Sequence, residues 1–252
     1  MGTDLSIVIP AYNEEWRLPP TLLDMVDYFD GRDLDYEIIV VDDGSIDRTA
    51  EVVKRLEKIR QQVSLIQLPQ NRGKGYAVKT GVSNSHGKYV LFADADGSTP
   101  IKEIERLEAK FNENTKVVIG SRGLPSEDTS VTRGWYHTFL ERIFNVCVNF
   151  LILPGLADTQ CGFKMFTAEC AFFLFEKQRA ERWSFDIEIL LIARKAGLKI
   201  VEVPINWNDV PGSKVNLFLD AIGMFCDIFT FKHRHMQVSP EIFEEFTTKF
   251  SK

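Results

Sequence analysis

The feature that most limits what this chain can fold into is a repeated switch of apolar period. Short strand-like runs alternate with segments whose apolar residues recur at helical spacing, and the runs end in polar turns. Leu5-Ser6-Ile7-Val8-Ile9 reads as a buried strand stopped by Pro10. Leu18 to Phe29 has helical spacing, with Pro19 and Pro20 tolerable only in its first turn. Tyr36 to Val41 is a second strand halted by Asp42-Asp43-Gly44-Ser45, and Asp47 is placed to cap a helix through Ile59. Further strands are expected at Val63 to Leu68, Lys88 to Ala93 and Val117 to Gly120. The helices between and after them are expected at Gly73 to Ser85 and Ile101 to Phe111. This order calls for an α/β domain with a mostly parallel central sheet and helices on both faces.

A chain of 252 residues can build such a domain with a sizeable core. No repeat or linker divides it, so one domain is expected over residues 1–214, followed by an amphipathic helix and tail over 215–252. The net charge of -6 argues against a nucleic-acid binder, which would carry a basic balance. Four cysteines without a CxxC pair or zinc spacing fit a reducing compartment, hence a cytoplasmic location. No apolar stretch reaches the roughly 18–20 residues needed to cross a bilayer, and Met1 to Asp4 run straight into a strand, so no signal peptide or membrane-spanning segment is expected.

In open α/β sheets, ligands bind at the carboxyl ends of the strands. This chain puts polar clusters there five times: Tyr12-Asn13-Glu14, Asp42-Asp43, Asn71 to Lys74, Asp94-Ala95-Asp96 and Ser121-Arg122. One acidic turn means little, because Asp and Gly favour turns anyway. Five on one edge define a candidate site. The turn after the first strand lacks a G-x-G-x-x-G fingerprint, and Gly73-Lys74-Gly75 lacks both the earlier glycine and the following Ser/Thr of a P-loop. Asp94 and Asp96 cannot hold a diphosphate directly, since like charges repel. A hard cation such as Mg²⁺ or Mn²⁺ between carboxylates and phosphates resolves that conflict.

The combination of Ile9-Pro10-Ala11-Tyr12-Asn13-Glu14, Val41-Asp42-Asp43-Gly44-Ser45 and Asp94-Ala95-Asp96 resembles the family 2 glycosyltransferases with a GT-A fold, whose sheet is Rossmann-like. Three later stretches resemble the dolichyl-phosphate β-glucosyltransferase subgroup. They are Asp158-Thr159-Gln160-Cys161-Gly162-Phe163-Lys164, Glu181-Arg182-Trp183-Ser184-Phe185-Asp186, and Asn206-Trp207 with Gly212-Ser213-Lys214. Eukaryotic members usually begin with a membrane-spanning helix, and none is read here. The resemblance implies inverting transfer of glucose from UDP-glucose to a dolichyl or polyprenyl phosphate. It implies a donor pocket of Pro10, Ala11, Tyr12, Glu14, Asp42, Asp43, Arg72, Lys74, Asp94, Ala95 and Arg122. Within it Glu14 would meet the ribose, Asp43 with Asp42 the uracil N–H, and Asp96 with Asp94 the metal. Arg72 and Lys74 would lie against base or diphosphate, or else on an exposed loop. Another donor such as GDP-mannose, a soluble acceptor, or a catalytically silent nucleotide-sugar-binding protein are the competing readings.

A phosphate acceptor, already ionised near neutral pH, needs positive charge more than a general base. Arg133, Arg142 and Lys214 fit that need. Asp186 is a base, a sugar contact, or the N-cap of a helix from Ile187 to Ala196. Histidine catalysis is not expected: His86 lies in a turn, His137 on a helix, and His233 and His235 in a basic tail. Trp135 to Leu153 and Leu217 to Phe231 read as amphipathic helices, the second followed by Lys232-His233-Arg234-His235. They either pack on the sheet or lie against a membrane surface, with the basic run on lipid head groups or the helix end.

Overall fold

The structure is a computed structural model and describes residues 2–124, 126–132, 148–149, 152–212 and 219–250. The strands are β1 (Leu5–Ala11), β2 (Tyr36–Asp42), β3 (Val63–Gln67), β4 (Tyr89–Ala93), β5 (Val117–Ser121), β6 (Val131–Thr132), β7 (Phe163–Thr167), β8 (Ile200–Pro204) and β9 (Trp207–Asn208). The helices are α1 (Leu18–Asp30), α2 (Thr49–Glu57), α3 (Lys74–Ser83), α4 (Ile104–Glu108), α5 (Ala168–Lys177), α6 (Phe185–Lys195), α7 (Leu219–Arg234) and α8 (Pro240–Phe250).

Seven strands form one sheet in the order β3-β2-β1-β4-β7-β5-β8, and β6 pairs with β9 in a small second sheet. The large sheet is parallel except for β7, which runs antiparallel to both β4 and β5. The chain winds outward from β1 through β2 to β3, then returns to place β4 on the other side of β1. That reversal opens a crevice at the carboxyl ends of β1 and β4, where such sheets bind ligands. Because β1 to β5 all point the same way, the five polar clusters do share one edge.

Alternation along β1 divides the core. Val8 faces a cluster with Val78 and Val82 of α3, Phe173 of α5 and Ile189 of α6. Ile7 and Ile9 face the other side, with Leu22, Met25 and Phe29 of α1 and Leu107 of α4. The strand runs through Pro10 to Ala11 rather than stopping. It pairs with β2 along its whole length but with β4 only as far as Val8, so the missing proline N–H falls where no ladder needs it. Asp47 is not a helix N-cap. Arg48 holds that position, while the Asp47 carboxylate accepts the Thr49 N–H at 2.9 Å and the Glu15 N–H at 3.2 Å, tying two loops together. The helix expected from Ile101 begins as a 3-10 turn, Ile101–Glu103, as Glu103 turns inward to the Asn206 side-chain amide at 2.7 Å.

The region beyond residue 214 shares the main core. Met224 and Phe231 of α7 and Phe243 of α8 are buried in the cluster of α5 and α6, with the Phe243 ring edge-on to Phe173 at 4.9 Å. The basic run begins in the last turn of α7 and ends just past it, at the helix end that was one of its two readings. His233 and Arg234 are exposed, but His235 is buried with Nε2 2.7 Å from Glu188 Oε1. Fully buried Glu188 needs a donor there, and His235 supplies it. Among the described residues no helix is long and apolar enough to cross a membrane. Most of the helix expected at Trp135 to Leu153 lies outside the described residues.

Because the Phe231 ring is fully buried, Phe231→Ala should cost about 3–5 kcal/mol in urea unfolding. A loss below about 1 kcal/mol would mean that α7 is an appendage and not part of the core.

Candidate active site

Two loops at the carboxyl edge are riveted together before any ligand is considered. Asn13, in the left-handed region at φ 54, turns the chain out of β1. Its N–H donates to Ser45 Oγ at 2.9 Å, and its Oδ1 accepts the Ile46 N–H at 2.9 Å. Thr49 Oγ1 accepts the Glu14 N–H at 2.7 Å. Pro10 and Ala11 are buried at the end of β1, with Tyr12 half-buried just beyond. Asp42 is fully buried: Oδ1 accepts the Ser45 N–H at 3.0 Å, and Oδ2 meets no hydrogen-bond donor among the described residues.

Asp43 organises the third loop. Its two oxygens accept the backbone N–H groups of Arg72 at 2.8 Å and Gly73 at 2.7 Å. Burial holds its carboxyl above the usual range despite those donors, and Asp42 beside it adds to the effect. Gly73 takes φ 110, and a Cβ there would sit 2.6 Å from the Glu181 carbonyl, so no other residue suits this close crossing. The Arg72 guanidinium pairs with Glu181 and stacks 3.6 Å over the Tyr76 ring.

At the end of β4, opposite charges alternate. Lys74 Nζ lies 2.7 Å from Asp94 Oδ1, with the rings of Phe92 and Trp183 5.2 and 5.4 Å away. Burial works against the ammonium, but Asp94 and Asp186 hold Lys74 above its ordinary pKa. Lys74 is therefore held against the acids of this edge and is not a solvated loop side chain. The Asp94 carboxylate rests on Gly162, where a Cβ would come within 2.0 Å of Oδ2, so the Cys161-Gly162-Phe163 stretch is a cradle for Asp94. Ala95 is buried between the two acids. Asp96 Oδ1 accepts the Ser98 N–H at 3.0 Å, and Oδ2 lies 3.7 Å from Arg17 Nη1. Arg17 also grips both oxygens of Glu14.

Asp186 is not a helix N-cap, since Ser184 holds that position and Asp186 sits in the first turn of α6. Its Oδ1 is 2.5 Å from Nζ of Lys164, a fully buried lysine in mid-strand β7. Burial raises the Asp186 pKa, and Lys164 and Lys74 oppose that rise. Arg122 is bound to buried Asp158 through Nε at 2.6 Å and Nη2 at 3.0 Å. Burial opposes ionisation of Asp158, and Arg122 overcomes it, holding the carboxyl well below the usual carboxylate range. The edge thus brings together Glu14, Asp42, Asp43, Lys74, Asp94 and Asp96, with Arg122 a step away over Trp207 at 5.4 Å. Arg133, Arg142 and Lys214 lie outside the described residues.

Arg17, Lys164 and Trp183 were given no role on sequence grounds. Arg17 has a local signal, an arginine three residues after Glu14 at a helix entry. Lys164 is marked only as the end of the Asp158-to-Lys164 stretch, since a lysine inside a strand ordinarily points to solvent.

The donors suit a hard cation. Among the described residues no three His, Cys, Asp or Glu side chains gather as a metal cage. Two carboxylates with neither thiol nor imidazole match an ion that takes its remaining ligands from water and phosphate oxygens, as Mg²⁺ and Mn²⁺ do.

A mostly parallel sheet with an acidic pair at its switch point is the α/β architecture of the GT-A class. The sequence matches the family Glycosyl transferase family 2 over residues 6–172, and the chain belongs to that family. It is 41% identical over 244 residues to the dolichyl-phosphate beta-glucosyltransferase of Dictyostelium discoideum, covering 92% of this chain and 75% of that protein. The mouse protein of the same name is 39% identical over 245 residues, covering 92% and 76%. Glucosyl-3-phosphoglycerate synthase from Mycobacterium tuberculosis, solved with Mn²⁺, UDP-glucose and phosphoglyceric acid, shares the fold. Its TM-score is 0.66 at 21% identity, covering 92% of this chain and 80% of that one.

Lys164→Met would leave the Asp186 carboxylate buried without its partner, and should cost about 3–5 kcal/mol at neutral pH. Asp186 already titrates high, and losing the ammonium pushes it higher. Protonation then removes the unpaired charge, so the deficit should shrink as pH falls through the raised pKa. Urea unfolding of wild type and variant from pH 7 to pH 5 measures both effects, and a deficit that grows on acidification would refute the pairing.

Proposed function

We propose that this chain transfers glucose from UDP-glucose to the phosphate of a dolichyl or other polyprenyl lipid, inverting the sugar carbon. One observation carries the reading: the Lys74–Asp94 and Arg17–Asp96 pairs lie at the switch point of a chain about 40% identical to dolichyl-phosphate beta-glucosyltransferases. Mg²⁺ or Mn²⁺ held by Asp96 and Asp94 would stabilise the departing diphosphate as a Lewis acid. Lys74, kept charged by its acidic neighbours, adds positive charge on the same side. Glu14 retains lone pairs for ribose hydroxyls after binding Arg17, since a carboxylate has about four acceptor sites.

The acceptor phosphate attacks through an oxygen already ionised, so its new bond to the sugar carbon forms without a general base as the bond to UDP breaks on the opposite face. Asp186 suits that chemistry, because Lys164 already occupies one of its oxygens. Its part is to contact the sugar and hold Lys74 in place, not to take a proton. Arg133, Arg142 and Lys214 are the proposed clamp for the acceptor phosphate, and Arg122 the further positive charge beside the donor. A lipid acceptor requires peripheral contact with a membrane, on its cytoplasmic side, to which α7 with exposed Phe229 would contribute.

The test is transfer of labelled sugar into the organic phase from UDP-glucose or GDP-mannose, with dolichyl phosphate in detergent and Mg²⁺ or Mn²⁺. Label from UDP-glucose alone is expected, and label from GDP-mannose alone would overturn the donor assignment. Asp96→Ala should lower turnover by about 10²–10³-fold or more, the scale of losing one stabiliser of transition-state charge. Half-exposed Asp96 should leave the melting temperature nearly unchanged. Asp43→Ala should weaken UDP binding in calorimetry. It should also cost about 1–3 kcal/mol of stability, because two backbone donors lose their acceptor.

A further inference from the structure

Arg17 touches both ends of the donor site. Its Nε and Nη2 bind the two Glu14 oxygens, and Nη1 lies 3.7 Å from Asp96 Oδ2 while donating to the Pro211 carbonyl at 3.4 Å. The side chain is only 15% exposed, so its charge is weakly screened. Arginine keeps its proton throughout the accessible pH range. A divalent ion at Asp96 therefore meets a fixed like charge a few ångströms away. That repulsion lowers the ion's affinity. A diphosphate reverses the sign, because its oxygens bind the ion and accept charge-assisted hydrogen bonds from the guanidinium.

We infer that Arg17 makes cation binding at Asp96 conditional on the nucleotide diphosphate, while its fork aligns Glu14 for the nucleoside. Arg17 is thus a positioning residue that couples two ligands of one site, and the inference rests on Asp96 being the metal ligand. Coupling of this kind is reciprocal: the factor by which UDP tightens the ion equals the factor by which the ion tightens UDP. The alternative is that Arg17 only braces the loop after β1, where its loss would weaken both ligands together.

The experiment titrates Mn²⁺ into wild type, Arg17→Gln and Arg17→Lys, with and without UDP, following free Mn²⁺ by paramagnetic resonance and UDP by calorimetry. Arg17→Gln should bind Mn²⁺ alone about tenfold more tightly, the scale of removing one like charge from a partly buried site. The same variant should bind UDP more weakly in the presence of Mn²⁺, and the mutual enhancement should fall by about tenfold or more. Arg17→Lys keeps the charge and loses the fork, so Mn²⁺ alone should bind as in wild type while UDP weakens. Weaker binding of both ligands by Arg17→Gln, or no change in either, would overturn the coupling. Wild type that binds no Mn²⁺ with or without UDP would instead remove Asp96 as metal ligand, and the coupling with it.

Discussion

The architecture depends on how the protein tolerates carboxylates gathered at one partly buried sheet edge. Glu14, Asp42, Asp43, Asp94 and Asp96 sit within three neighbouring loops, where mutual repulsion would drive the loops apart. Each is compensated by a neighbour. Backbone N–H groups serve Asp42 and Asp43, Arg17 serves Glu14 and Asp96, and Lys74 serves Asp94. For Asp43, Asp94 and Asp96 the compensating group comes from a different loop, so satisfying those charges also fixes the loops. Here electrostatics supplies the shape of the site, and hydrophobic burial supplies the sheet beneath it.

That division explains what could be read in the chain. Strands β1 to β5 and the helices between them follow from apolar period alone, because both faces of the sheet are covered and the runs stay apolar. The position of Asp94-Ala95-Asp96 at the carboxyl edge followed from its place after a strand. What escaped were the compensating partners. Strand β7 is interrupted by Lys164, which breaks the apolar signal while lying buried against Asp186. Its antiparallel direction, between two strands that run the other way, is set by tertiary packing. Asp47 looked like a helix cap by local rule, yet its carboxylate also serves the loop after β1. A long-range partner cannot be read from a short-range pattern.

Helix α6 shows the same constraint away from the edge. Every residue from Phe185 to Ala193 is buried, so it cannot keep a polar face toward water. It nevertheless carries two acids, and each draws its partner from elsewhere: Asp186 from Lys164 of β7, Glu188 from His235 just past α7. Ser184, four residues before Glu188 and so on its face of the helix, donates to Asp227 of α7 at 2.5 Å. Asp186, two residues from each, points to the opposite side, toward the site. One face of α6 therefore binds α7 through polar contacts while the other supports Lys74 and Asp94. The segment expected to form an amphipathic helix and tail is joined to the helix beneath the site. A shift of α7 along α6 would break the Glu188–His235 contact, which is buried from water, so the two helices hold a fixed register.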